Sequence, residues 1–248
     1  MRPIAPAPNK SPTWRVLPFL EAPGALQMAV DLWMLQRCRA GGPSCLRFYA
    51  WSPPALSLGY HQRRFPARWH ALSATGAFDL LRRPTGGRAV LHAGDLTYAI
   101  ATTGVAGKRW EAYAILCEFL VRGWRSLGVK LSYGETGREY TSVPNCFATA
   151  TGADLTTADG YKLIGSAQLR QGEAILQHGS MRLEISPELW KQVFETIPPR
   201  SPIASLPRNR IICTLKNAAR ECLGVELVEQ PLTAAEWTEV RKIALPPP

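Results

Sequence analysis

No run of this chain comes near the roughly twenty consecutive apolar residues that a membrane-spanning helix requires, although 46% of the sequence is hydrophobic. That excludes a helical membrane anchor and describes a soluble globular protein. Cysteine is sparse and scattered: Cys38, Cys45, Cys117, Cys146, Cys213 and Cys222 contain no Cys-x-x-Cys and build no disulfide framework. Free thiols in a reducing cytoplasm are the expectation. The four histidines, His61, His70, His92 and His178, show no paired ligand spacing, so no metal site is expected. Internal repeats are absent, and low complexity is confined to the proline-rich ends. Residues 1–12 hold four prolines where a secretory signal needs an apolar helix, so export is not expected and the segment reads as a flexible lead-in.

Acidic residues are also few, and the chain carries a net charge of +10. The positive residues are dispersed, the densest pieces being Gln62-Arg63-Arg64, Leu81-Arg82-Arg83 and Lys108-Arg109. Dispersed arginines suit recognition on a folded surface, of nucleic acid or of an acidic protein.

Apolar residues recurring at three and four predict helices over Gly24–Arg39, closed by Gly41-Gly42-Pro43, and over Trp110–Leu127, closed by Gly128. Asp31 falls inside the first, where a solvated face is expected by default and a hydrogen bond to a neighbouring loop is the alternative. Cys117 belongs to the core stripe of the second. Strands are expected at Cys45–Trp51, Ala55–Tyr60, Phe78–Arg82, Ala89–His92 and Leu96–Ala101. Asp159-Gly160 signals a hairpin, followed by strands over Tyr161–Arg170 and Ala174–Ile185. Three helices follow, over Pro187–Ile197, Ile211–Leu223 and Thr233–Ile243. The expected organisation is a single catalytic domain over 13–248, with a core at 24–186 and a C-terminal helical segment at 187–248.

Three stretches carry chemistry. Arg82-Arg83-Pro84-Thr85-Gly86-Gly87-Arg88 sets adjacent glycines among three arginines, which suits a loop that binds a carbonyl, carboxylate or phosphate, or a plain tight turn. Gly165-Ser166-Ala167 is unusually small for a strand and leaves room for a ligand. In Val143-Pro144-Asn145-Cys146-Phe147, Cys146 sits in polar, irregular sequence; a nucleophilic role needs a nearby cation, and Lys162 is the candidate. A solvated strand lysine is the alternative.

The run Arg83 to His92 with Leu96-Thr97-Tyr98, and Lys162-Leu163-Ile164-Gly165-Ser166-Ala167-Gln168 with Leu176-Gln177-His178-Gly179-Ser180, resembles the superfamily of lipoate-protein ligases, octanoyltransferases and biotin-protein ligases. Met28-Ala29-Val30-Asp31 and Leu46 to Tyr60 are similar to the same family. The resemblance covers residues 25–185. It implies an α+β fold, a mixed β-sheet core flanked by helices, of the biotin/lipoate ligase and class II synthetase kind. Where ATP-dependent ligases carry a third glycine and an Asn-Asp pair, this chain has Arg88 and Cys146-Phe147. Both departures resemble the LipM-type octanoyltransferases. The LipB type places its cysteine just after the lysine strand, where this chain has Gln171-Gly172-Glu173.

What the resemblance implies is octanoyl transfer from acyl carrier protein to a lysine of a lipoyl domain or glycine cleavage H protein. Cys146 would carry the acyl group and Lys162 would tune it. Arg83, Gly86, Gly87, Arg88, His92, Gly165, Ser166, Ala167, His178 and Gly179 would bind substrate, with no ATP, other cofactor or metal, in a cytoplasmic monomer without nucleic acid. Arg83, Arg88 and Arg170 would meet acidic partners. Two rivals predict other behaviour: an ATP-dependent lipoate or biotin ligase is indifferent to loss of Cys146, and a nucleic-acid-binding protein shows salt-sensitive affinity and no acyl adduct.

Overall fold

The computed structural model describes residues 13–134, 152, 154–203, 206–245 and 248. The chain enters as strand β1 (Thr13–Ala22) and turns at Pro23 into helix α1 (Gly24–Arg39). This helix stops at Gly41, whose φ of 85° a side chain would resist. Strand β2 (Cys45–Trp51) returns beside β1 in parallel. A small sheet follows, made of β3 (Ala55–Leu58), β4 (Asp79–Arg82) and β5 (Val90–His92), with helix α2 (Arg68–Ala74) between its first two strands.

Strand β6 (Leu96–Thr102) then pairs antiparallel with β2, and helix α3 (Arg109–Ser126) crosses the sheet. The Glu111 carboxylate accepts the Lys108 N–H and caps its start. Strands β7 (Ser132–Tyr133), β8 (Asp154–Thr156), β9 (Lys162–Gln171) and β10 (Ala174–Met181) extend the large sheet. Helices α4 (Pro187–Phe194) and α5 (Arg208–Leu223), strand β11 (Glu226–Glu229) and helix α6 (Ala234–Arg241) close the chain. Among the described residues the large sheet has the order β11-β1-β2-β6-β10-β9-β8-β7, and the small one β4-β3-β5.

Period-two alternation sorts the strands between two cores. Leu46, Phe48, Leu96, Tyr98 and Ile100 face α3 and α5, while Tyr49, Ala99, Ala101 and Leu176 face α1 and α6. The C-terminal segment belongs to both: Ile211, Leu215 and Ala219 of α5 lie in the first core, and Val240 of α6 in the second. A third cluster, including Leu56, Trp69 and Trp190, covers the small sheet.

The two long helices, the strand at Cys45–Trp51 and the hairpin lie where the sequence places them, within a residue or two. The expected strand reaching Ile185 ends at Met181, and the helix expected to reach Ile197 ends at Phe194, where Glu195 takes a left-handed φ of 55°. Five elements have no clear sequence pattern: β1, α2, β7, β8 and β11. In β1 the alternation is broken at Pro18, and the register with β2 slips between Leu17 and Leu20; a residue without an N–H fits such an irregularity. No helix among the described residues is long and apolar enough to cross a membrane.

Candidate active site

A cavity of about 770 Å³ is lined by residues from α1, the Gly86-Gly87 loop, β9 and β10. Its glycine loop is fixed at both ends by buried hydrogen bonds. At one end Arg83 donates to the carbonyls of Gly86 (2.7 Å) and Arg88 (2.8 Å), and its second amino group donates to the Ser57 carbonyl (2.9 Å) and hydroxyl (3.2 Å). Ser57 Oγ lies 2.9 Å from His92 Nε2, and His92 Nδ1 lies 2.7 Å from Asp95 Oδ2. The imidazole stacks on Trp51 with 3.8 Å between ring centroids. Burial pushes His92 below its ordinary range; Asp95 works against that and Arg83 with it.

At the other end Thr85 Oγ1 lies 2.6 Å from His178 Nε2, and His178 Nδ1 lies 2.7 Å from Asp31 Oδ2. An ionised carboxylate only accepts, so Nδ1 carries a proton. Arg47 donates to Asp31 Oδ1 (2.9 Å) and the Tyr49 hydroxyl donates to Oδ2 (3.0 Å). Asp31 is 0% exposed. Burial alone would raise its carboxyl; Arg47, His178 and Tyr49 together outweigh that and hold it low. The solvated face expected for Asp31 is therefore incorrect. Its bonds go to side chains of β2 and β10, not to a loop.

On the facing wall, Lys162 Nζ forms a 2.8 Å ion pair with Asp154 Oδ2, both side chains being under 5% exposed. A Cβ on Gly165 would stand 3.2 Å from Lys162 Cε, so the glycine leaves room for the lysine beside the cavity wall. Ser166 Oγ is 2.9 Å from the Tyr98 hydroxyl, which reaches it across β10 at Gly179. A Cβ on Gly179 would sit 2.6 Å from both Ser166 Oγ and Tyr98 Cε1.

Residues 23–235 match the family model of the lipoyl protein ligase A/B catalytic domain. This chain belongs to that family. It is 42% identical to the octanoyltransferase LipM of Kyrpidia tusciae over 71% of this chain and 68% of that protein. It is 31% identical to the octanoyltransferase LipM of Halalkalibacterium halodurans over 94% and 95% of the two chains. In fold it is similar to lipoate-protein ligase A bound with ATP, with a TM-score of 0.76, 22% identity and 93% of each chain covered. The bipartite lipoate protein ligase of Thermoplasma acidophilum superposes with a TM-score of 0.70 at 21% identity, covering 93% of this chain and 91% of that one.

Seen as a site of this family, the cavity gathers Arg83, Gly86, Gly87, His92, Gly165, Ser166, Ala167, His178 and Gly179. Arg88 is not among the lining residues; its carbonyl serves as an anchor for Arg83. Arg83 faces inward on the loop's own carbonyls. Lys162 is paired and buried, not a solvated strand lysine. Cys146 lies outside the described residues. Ser57, Thr85, Asp95 and Asp154 were not singled out in the sequence. The only available signal was Asp95 three residues after His92; the others meet their partners through sheet pairing, which no local pattern reports. No group of three His, Cys, Asp or Glu among the described residues could hold a metal.

Proposed function

We propose that this chain moves an octanoyl group from acyl carrier protein to a lysine of a lipoyl domain or of glycine cleavage H protein, with Cys146 as the acyl carrier. The observation that carries the reading is the 42% identity to an octanoyltransferase. The buried thiols support the choice of cysteine: burial pushes Cys38 and Cys45 up to about 12 and Cys117 to about 11, so none of these is a ready thiolate.

The thiolate of Cys146 attacks the donor thioester, and the pantetheine thiol leaves. That exchange replaces one thioester with another. The acceptor ε-amine, having given up a proton, then attacks the octanoyl carbonyl; the C–N bond forms, the C–S bond breaks, and the amide drives the sequence forward. The acyl group arrives activated, so ATP has no step to perform. Lys162 supplies positive charge beside the reacting sulfur and carbonyl, held by Asp154. His178 is not the base for the acceptor amine in this reading, since Asp31 and Thr85 engage both of its ring nitrogens. Seven buried methylene-equivalents contribute on the order of 5 kcal/mol to holding the chain.

Intact mass after incubation with octanoyl-acyl carrier protein tests this. The expected result is one octanoyl adduct on the wild type and none on Cys146→Ala, which also loses transfer. An adduct that survives Cys146→Ala, or transfer that requires free octanoate and ATP, overturns the proposal.

A further inference from the structure

Along the cavity wall runs a chain of five side chains, and the cation at its end fixes the direction of its first three hydrogen bonds. Arg170 starts it. A guanidinium can only donate, so at 3.2 Å from Arg170 Nε the Gln168 side chain must present its oxygen. Its amide nitrogen is then the donor to Gln177 Oε1, at 3.0 Å. That fixes the second amide as well: Gln177 Nε2 donates to the Tyr98 hydroxyl oxygen at 3.1 Å and to Cys117 Sγ at 3.2 Å. Tyr98, having accepted, has its own proton to place. Ser166 Oγ is 2.9 Å away and Cys117 Sγ 3.8 Å away; the oxygen is the nearer and much the stronger acceptor.

Ser166 thus accepts from Tyr98, and its own proton is left over. Among the described residues no oxygen or nitrogen takes it, the remaining neighbour being the weakly accepting Cys117 sulfur. Ser166 lines the cavity. The sheet is built to allow the arrangement. Ser166, Gly179 and Tyr98 are cross-strand partners on β9, β10 and β6, and the missing side chain at Gly179 is what lets Tyr98 span the middle strand.

We infer that the Ser166 hydroxyl is an obligate donor to the carbonyl oxygen of the bound acyl group, oriented by Tyr98, Gln177, Gln168 and Arg170. The inference deepens the octanoyl-transfer reading and takes its ligand class, an acyl carbonyl, from it. Bonds pointing the same way polarise one another, and the chain begins at a cation. The donor is therefore suited to a carbonyl oxygen that gains negative charge as a nucleophile adds. Tyr98 and Gln177, which do not line the cavity, are positioning residues that act through Ser166; Gln168 and Arg170 line it beside the serine.

Octanamide, which keeps the carbonyl and cannot acylate a thiol, is the probe, titrated calorimetrically into the full chain. Binding to the wild type is expected to weaken about tenfold in Ser166→Ala and in Tyr98→Phe. Tyr98→Phe should cost nothing further on the Ser166→Ala background, since the tyrosine acts only through the serine. Gln177→Met, which keeps volume, removes the relay and lies behind the cavity lining, replaces Tyr98→Phe should that variant not fold. No binding to the wild type, equal affinity for Ser166→Ala, or losses that add in the double variant each overturn the inference. Failure of the octanoyl-transfer reading shows elsewhere, as a missing adduct on Cys146.

Discussion

At the residue scale, two histidines hold one loop, and they do so as hydrogen-bonded structural groups. His92 has a definite consequence for pH. Its folded value lies below the ordinary 6.5 because burial penalises the charged ring, so the folded state binds fewer protons than the unfolded one. The contribution is fully present above that ordinary value and declines as acidification passes through it. The thermal midpoint is therefore expected to fall between about pH 7 and pH 5, and His92→Gln should flatten that part of the curve. Asp31 acts in a lower window. Its depressed carboxyl gives stability that is present above the usual carboxylate value and is lost only in stronger acid. Asp31→Ala strands Arg47, which is 2% exposed, and should cost about 3–5 kcal/mol in chemical denaturation.

At the element scale, close backbone approaches decide what can change. A Cβ at Gly59 would overlap the Gly87 carbonyl, so Gly59→Ala should displace the glycine loop. The expected outcome is weaker acyl binding with little change in the far-UV spectrum. On α3, a Cβ at Gly123 would come within 2.6 Å of Leu215 on α5, so Gly123→Val is expected to overpack that contact and cost about 1–3 kcal/mol by thermal or urea unfolding. The long helices and central strands were legible because each carries its own period, whereas Gly86-Gly87 read equally as a binding loop or a tight turn. β1, β8 and β11 were not legible, since two of them are four residues or fewer and the third is broken at Pro18. The buried partners were hidden for a related reason. Asp31 finds Arg47 and His178 only once β2 and β10 lie against the same helix, and a lone aspartate in an apolar stripe does not say what will face it.

At the scale of the whole molecule, the charge of +10 is an argument about encounter with acidic partners. If acyl carrier protein is the donor, as proposed, kcat/KM should fall several-fold from low to roughly physiological ionic strength, with kcat nearly constant. The sheet's order bears on how the chain comes to be made. β1 pairs in parallel with β11 from Thr13↔Glu226 to Val16↔Glu229, and Arg15 grips Glu236 through its two terminal guanidinium nitrogens, at 2.7 and 2.9 Å. β1 is therefore made about two hundred residues before the strand that covers its edge. Until then one side of β1 is an open edge able to recruit strands from other nascent chains. A premature stop just ahead of Glu226 leaves that edge permanently bare, so such a product is expected to be lost to aggregation although it keeps Cys146 and Lys162.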